Sequence, residues 1–326
     1  MSWLVTGGSG YIGAHVVDAL QSRGEQAVVV DDFSTGERGR TGDAVVVEGS
    51  ILDKELVRRT ITDHAVRGIV HIAAKKQVGE SVADPVKYYR ENVIGTIKLL
   101  QTAVETGVES FVFSSSAATY GMPDLDIVDE DVPSAPMSPY GTSKVIGEWA
   151  ARDIAAATGL RVVSLRYFNV AGAARPELGD PGVFNLIPMA FERIVAGEPP
   201  RIFGADYPTP DGTCIRDYIH VADIADAHVA ALEDLTSGGG VSGRGDAAYR
   251  VFNIGRGEGS SVREVLQTVA KVTGSDLDPV VVERRPGDPA RVVASADRIR
   301  AELGWTAKHD LEDMVTSAWA SWQHRH

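Results

Sequence analysis

The sequence predicts an α/β protein built on a doubly wound parallel sheet, with a smaller α/β domain at its C-terminal end. Three observations carry this. Short β-branched runs alternate with helical patterns through the first half: strands at residues 3–6, 27–30, 44–47, 68–72, 110–114 and 161–166, helices at 12–23, 54–63, 86–106 and 140–158. Such alternation implies parallel strands joined by crossover helices. The apolar runs are continuous rather than alternating, as expected of strands covered on both faces. The turn Gly7-Gly8-Ser9-Gly10-Tyr11-Ile12-Gly13 follows the first strand and opens the first helix, a Rossmann-type arrangement.

The second half reads differently. From about residue 173 it carries proline and glycine clusters, including Pro176, Gly179, Pro181, Gly182 and Pro199-Pro200. We expect residues 1–172 to form the first domain and 173–326 the second, with segments near 217–232 and 251–254 folding back onto the first. The run from Thr236 to Gly243 has the composition of a flexible surface loop. A length of 326 residues suits such a two-part chain.

Composition narrows the function. The formal net charge is −13, which disfavours nucleic acid as a partner, because phosphate backbones need a basic surface. No run reaches the roughly 18 apolar residues of a membrane span. The first residues enter a strand with no basic region or cleavage site, so no signal peptide is expected. Cys214 is the single cysteine, which excludes an intrachain disulfide and suits a reducing cytoplasm.

The glycine-rich turn carries a physical requirement at each position. Gly7 permits the tight turn, Gly10 lets the backbone approach a pyrophosphate, and Gly13 lets the helix pack on the sheet. The helix N-terminus then offers free N–H groups to phosphates. Asp31 ends the next strand. A carboxylate there accepts hydrogen bonds from the adenosine ribose and repels a 2′-phosphate, so NAD is expected rather than NADP. Asp32 either touches that ribose or faces solvent.

Tyr140 and Lys144 are four residues apart and share one helix face. An ammonium beside a phenol favours the phenolate and equips it for proton transfer. The strand at 110–114 runs into Ser114-Ser115-Ser116, which sets a hydroxyl at the carboxyl edge of the sheet, where ligands of open α/β sheets bind.

These residues carry a resemblance. Thr6–Gly13 together with 114–121 and Tyr140–Lys144 resemble the extended short-chain dehydrogenase/reductase family. Val78-Gly79-Glu80-Ser81, Tyr88-Tyr89, Asn92-Val93, Arg166-Tyr167-Phe168-Asn169, Arg216-Asp217-Tyr218-Ile219-His220-Val221, Ile202-Phe203-Gly204 and Arg284-Arg285 with Gly287-Asp288 are similar, within it, to the UDP-glucose 4-epimerases. The resemblance covers essentially the whole chain.

The resemblance implies an isomerase that interconverts UDP-galactose and UDP-glucose. Tyr140 takes the 4-hydroxyl proton, Lys144 tunes it and holds the nicotinamide ribose, and Ser116 bonds the reacting oxygen. Hydride passes from C4 to NAD, and the 4-keto sugar turns over before taking it back. It implies cofactor contacts at Gly7, Gly10, Tyr11, Ile12, Gly13, Asp31, Asp32, Phe33, Ser34 and Gly36. It adds Ser50, Ile51, Ala73, Ala74, Lys76, Asn92 and Phe168, besides Tyr140 and Lys144. Substrate contacts are implied at Lys76, Ser116, Tyr140, Asn169, Asn185, Leu186, Phe203, Arg216, Arg285, Asp288 and Val292. Arg216 and Arg285 would grip the diphosphate, since guanidinium forks suit phosphate oxygens.

Ser50 departs from the family, which commonly has an aspartate there for the adenine amino group. A family member that eliminates water carries an Asp-Glu pair just after the catalytic Ser or Thr. Here Ser116 is followed by Ala117-Ala118-Thr119-Tyr120, which argues against dehydration. In this family a large Tyr at the position of Val292 excludes an N-acetyl group, so valine extends the expected range to UDP-N-acetylhexosamines, unless Arg291 refills the space or Val292 is an ordinary strand residue facing the core. The resemblance further implies a homodimer through a four-helix bundle of the 86–106 and 140–158 helices, which hold apolar residues on more sides than one sheet face can cover. His220 and Cys214 are read as structural. Two other readings stay open: chemistry on a related sugar such as UDP-glucuronate, and an NAD(H)-sensing protein without catalysis. The intact Ser116, Tyr140 and Lys144 oppose the latter.

Overall fold

The computed structural model describes residues 1–238, 248–285 and 288–326. In chain order the strands are β1 (Ser2–Thr6), β2 (Gln26–Asp31), β3 (Val45–Glu48), β4 (Gly68–His71), β5 (Ser110–Ser116), β6 (Arg161–Tyr167), β7 (Asn169–Ala171), β8 (Arg201–Phe203), β9 (Ile215–His220), β10 (Tyr249–Ile254), β11 (Gly259–Ser261), β12 (Val280–Val282) and β13 (Arg291–Val292). The helices are α1 (Tyr11–Gln21), α2 (Lys54–Asp63), α3 (Val78–Ala83), α4 (Pro85–Tyr88), α5 (Gly95–Glu105), α6 (Pro139–Thr158), α7 (Leu186–Val195), α8 (Val221–Ser237), α9 (Val262–Thr273), α10 (Asp297–Leu303) and α11 (Leu311–Arg325).

Seven strands form one parallel sheet in the order β10-β6-β5-β4-β1-β2-β3. The six strands expected in the first half are all present, and the α/β class is as expected. Alternate strand residues feed two cores. Val5, Val29, Val70 and Val112 face α1 and α8; Leu4, Val28, Ile69 and Phe111 face α2, α5 and α6. Strand β3 is the exception to two-sided burial: as the edge strand it leaves Val45 and Val46 exposed. The strand order reverses between β1 and β4, so their carboxyl ends diverge into a crevice there.

The helical stretch expected at 86–106 is present, with one widened segment inside it. Its chain path is α4, a π-helical stretch Tyr89–Ile94, and α5. The cause lies in Asn92. Its Nδ2 donates to the Lys75 carbonyl (3.0 Å) and to Ser143 Oγ (3.0 Å), while its Oδ1 accepts from Lys75 N (2.8 Å). A widened turn aims that amide inward, and such bulges tend to mark functional sites.

The second part holds a sheet in the order β11-β9-β13 with β7 paired to β9, and a β12-β8 pair. Helices α7, α9 and α11 cover a separate apolar cluster around Phe191, Leu266 and Met314. Helices α9 and α11 both start with capping boxes, Ser261 with Glu264 and Asp310 with Asp313. Strand β10 completes the large sheet beside β6. Of the segment 217–232, only its helical part lies on that sheet: α8 packs on α1, β5 and β6, whereas β9 belongs to the second sheet. The loop expected from Thr236 begins later. Thr236 and Ser237 end α8, Gly238 closes it at φ +75°, and the rest of that run lies outside the described residues, as does Gly287. Among the described residues no helix is long and apolar enough to cross a membrane, and no group of three or more His, Cys, Asp or Glu could hold a metal.

Four histidines are packed away from water. Burial pulls His71 down to about 3, and His15, His220 and His228 down to about 4. Each therefore titrates near its ordinary value in the unfolded chain and well below it in the fold. The unfolded chain binds more protons between about 6.5 and 4, so stability is present above 6.5 and is lost as pH falls through that window. The buried carboxyls of Asp217, pushed up to about 6, and of Asp31 and Glu130, raised by burial, oppose this in part. The unfolding free energy should fall on acidification from pH 7 to 4.5. His71→Gln should flatten that slope, and a slope equal to wild type would refute the assignment.

Candidate active site

A cleft of about 430 Å³ opens at the carboxyl edge of the large sheet, at the β1/β4 reversal. Its floor is the glycine turn. Gly7 has φ +71°, and a Cβ on it would meet the Ala73 backbone at 2.8 Å. A Cβ on Gly13 would lie 2.0 Å from the Gly7 carbonyl oxygen. Both positions therefore exclude any side chain, and α1 packs on the turn as closely as its backbone allows. Gly10 precedes α1 with no side-chain cap, so the first N–H groups of that helix face the cleft unclaimed by a side chain. Asp31 is buried at the cleft wall. Its carboxylate accepts from Ser9 N (2.9 Å) and Phe33 N (2.8 Å), and burial raises its pKa. Each oxygen keeps a further lone pair for a ligand hydroxyl. The empty cradle above Gly7 and Gly13, the uncapped helix and the wall carboxylate fit a dinucleotide.

Tyr11, Ile12, Asp32, Ser34, Ser50, Ile51, Ala73, Ala74, Lys76 and Phe168 also line the cleft. Asp32 is exposed at the cleft rim and accepts from Ser34 N and Oγ. Three expected cofactor residues act beside the cleft rather than in its lining. Phe33 stacks under the Arg38 guanidinium at 4.2 Å. Gly36 fits against Asp31, where a Cβ would stand 3.0 Å from Oδ1. Asn92 is fully engaged in tying the 73–76 segment to α6, as described above.

Ser116 ends β5 opposite Tyr167 of β6 and lines the cleft. Helix α6 starts at Pro139, capped by Ser138 Oγ, and delivers Tyr140 and Lys144 to the same wall. Burial raises the Tyr140 phenol, and the Ser116 hydroxyl bonded to it works the other way. Burial pulls Lys144 down to about 8, opposed by Glu148 one turn further along. The Lys144 ammonium donates to the Ser114 carbonyl (2.8 Å) and lies 6.0 Å from the Tyr140 ring centre. The three expected groups thus meet at one place, where a hydroxyl, a phenol and a cation converge on a polar ligand atom. In this state burial outweighs the Ser116 hydroxyl at Tyr140, so the phenol is held in its neutral form.

On the substrate side the cleft continues into a smaller cavity of about 70 Å³; Tyr11, Asn169, Val170 and Asn185 line both, and Leu186 the smaller. Lys76 points at Asp180 (4.0 Å). Phe203 stacks under Arg285 at 3.8 Å, and Arg216 is paired with Asp288. Those four form a separate wall on β8, β9 and the segment before β13, outside the lining of the main cleft. The Arg216–Asp288 ion pair joins two groups expected to hold different parts of one ligand. Val292 pairs with Arg216 across β9 and β13 and packs on the cluster of Tyr120, Val128, Phe168 and Ala294, rather than lining the cleft. Arg291 turns away to the Asp126 carbonyl (3.0 Å) and does not refill that space.

Sequence reasoning passed over Lys75, Glu91 and Tyr167, which line the cleft, and Tyr218, which lines the smaller cavity beside Asn169. Tyr167 and Tyr218 stood inside quoted motifs, and their strand-end positions were the available signal. It also passed over Asp217, whose buried carboxylate accepts from Arg256, Gly257 and Ala294 N–H groups and so fixes β13 against β9.

A doubly wound sheet with a glycine cradle at its reversal point, a wall carboxylate and a Ser–Tyr–Lys group defines a dinucleotide-dependent enzyme acting on a hydroxyl-bearing ligand. The model of the NAD dependent epimerase/dehydratase family matches residues 3–255, and the chain belongs to that family. UDP-glucose 4-epimerase from Azospirillum brasilense is 47% identical over 325 residues, covering 98% of this chain and 91% of the relative. A crystal structure of UDP-glucose-4-epimerase from Stenotrophomonas maltophila, with bound NAD and formylated UDP-arabinopyranose, superposes with a TM-score of 0.93 at 38% identity, covering 100% of this chain and 98% of that one. The UDP-Glc/GlcNAc 4-epimerase of Campylobacter jejuni gives 0.85 at 38% identity, with 99% of each chain covered. The cofactor is NAD.

Proposed function

We propose that the protein inverts C4 of a UDP-hexose, interconverting UDP-galactose and UDP-glucose through a transient 4-keto sugar. The observation that carries this is the meeting of Ser116, Tyr140 and Lys144 on the wall of a cleft that runs from the glycine turn to Asn169 and Asn185. When bound, NAD supplies reversible hydride acceptance at C4. The chain supplies the rest. Tyr140 takes and returns the 4-hydroxyl proton, and Ser116, bonded to the phenol, holds the reacting oxygen. Lys144 keeps a positive charge beside the phenol as it loses its proton. Arg216, Arg285, Phe203 and Asp288 hold the UDP end, which requires the Arg216–Asp288 pair to open to the diphosphate and ribose. Galactose metabolism in the cytoplasm is the corresponding setting, and the single cysteine agrees with it.

The apolar faces of the helices around α5 and α6 support a homodimer through a four-helix bundle. Val82, Val86, Ile94, Ile97 and Trp149 are exposed there, more than an ordinary solvated helix pair presents. Val292 packs behind Phe168 and reaches the cleft only through it, and its lack of an aromatic ring there, with the UDP-Glc/GlcNAc range named for the Campylobacter relative, supports extension to UDP-N-acetylhexosamines.

The purified protein should convert UDP-galactose to UDP-glucose without added NAD. Tyr140→Phe should lower kcat by about 10²–10⁴-fold with little change in binding; full turnover in that variant refutes the mechanism. Wild type should also accept UDP-N-acetylglucosamine, and Val292→Tyr should reject it, since overpacking costs about 1–3 kcal/mol. Equal kcat/KM in both would remove the gate from Val292. Light scattering at micromolar concentration should give twice the chain mass, and Ile97→Asp should give monomer; a monomeric wild type rules out the bundle.

A further inference from the structure

Glu148 belongs to no expected site, yet it is the most heavily bonded carboxylate near the reacting group. It is buried on α6, at the i+4 position from Lys144 and i+8 from Tyr140, so all three occupy one helix stripe. Its Oε1 accepts from the Ser115 hydroxyl (2.5 Å) and from Arg166 Nε (2.9 Å), and its Oε2 from Arg166 Nη2 (2.5 Å). Ser115 is the neighbour of Ser116 on β5. Arg166 precedes Tyr167 and Phe168, which line the cleft from β6. One carboxylate therefore ties together the three elements that deliver the reacting groups. A charged pair buried in this way, with Arg166 Nη1 left without a partner, is weak evidence for stability, because desolvation offsets most of its attraction, so a role in fixing geometry is the better account.

We propose, on the reading of Ser116, Tyr140 and Lys144 given above, that Glu148 is a positioning residue: through Ser115 it sets the end of β5 against α6, and through its charge it keeps the Lys144 ammonium in place on the Ser114 carbonyl. The separation of the Ser116 hydroxyl from the Tyr140 phenol is then fixed from behind. A shift of about 1 Å in such a constellation costs on the order of 10²-fold in rate.

The charges around this stripe are few. Lys144 faces Glu148 and Tyr140 on its own helix and His71 on β4, whose pKa the ammonium helps to lower. Glu148 faces Arg166 on β6, Tyr249 on β10 and, through Arg166, Tyr120, whose ring lies 4.7 Å under the guanidinium; Arg152 lies further along α6. Glu148 is the only one of the groups acting on Lys144 that raises its pKa. Loss of that carboxylate should move the loss of the ammonium, and with it the alkaline limb of the rate profile, to lower pH.

The test uses the purified holoenzyme, with wild-type turnover of UDP-galactose as control; no wild-type turnover would overturn the functional reading itself. Three variants are compared: Glu148→Gln, Glu148→Gln/Arg166→Met and Ser115→Ala. Glu148→Gln should lower kcat about 10²-fold at unchanged KM and shift the alkaline limb downward. The double variant, which removes both members of the Glu148–Arg166 pair, should recover Tm relative to Glu148→Gln without recovering kcat or the pH profile. Ser115→Ala removes one hydroxyl and is expected to fold; it should lower kcat several-fold at unchanged KM. A double variant with wild-type kcat, or Ser115→Ala with wild-type kcat in an active control background, overturns the proposal and leaves Glu148 a structural residue only.

Discussion

Helix α1 begins where the Gly7 carbonyl fills the space that a Cβ on Gly13 would need. That contact lets the helix start directly over the end of β1, with its uncapped N–H groups at the mouth of the sheet. Gly7 in turn lies so close to Ala73 that no side chain fits between β1 and β4. The cleft opens above this side-chain-free backbone packing, where the strand order reverses. Everything the site needs is then brought to one edge: Asp31 from β2, the 73–76 segment after β4, Ser116 from β5 and Phe168 after β6.

Chemistry at the far side depends on burial. Tyr140 and Lys144 are removed from water, which pushes the phenol up and the ammonium down, each toward its neutral form. A site built this way responds strongly to any charge that enters it, because low polarity magnifies the interaction. Ser116, Ser114 and Glu148 set where those two groups sit, and the asparagine at 92 locks the opposite wall to α6 through Ser143.

Much of this was legible in the chain. The glycine turn and Asp31 announce the cofactor, because only glycine meets the steric demand and only a strand-end acid reaches the ribose. Tyr140 and Lys144 are legible because helical spacing places i and i+4 on one face. The 86–106 segment was not legible as it stands: its apolar pattern is helical, and the widened turn comes from the amide of Asn92 bonding to residues 17 and 51 positions away.

The sequence by itself determined the class of fold, the glycine cradle and the side chains proposed to react, because each rests on local spacing and on properties of single residue types. The tertiary structure alone decided which acid stands behind Lys144, that Arg216 and Asp288 meet, and that Val292 packs on Phe168 rather than in the cleft. Those outcomes depend on which strands become neighbours. β9 takes β13 on one side and β11 on the other, and β5 meets β6 in a register that sets Ser116 opposite Tyr167. Long-range pairing of that kind is fixed by the packing of whole layers, and no window of sequence contains it.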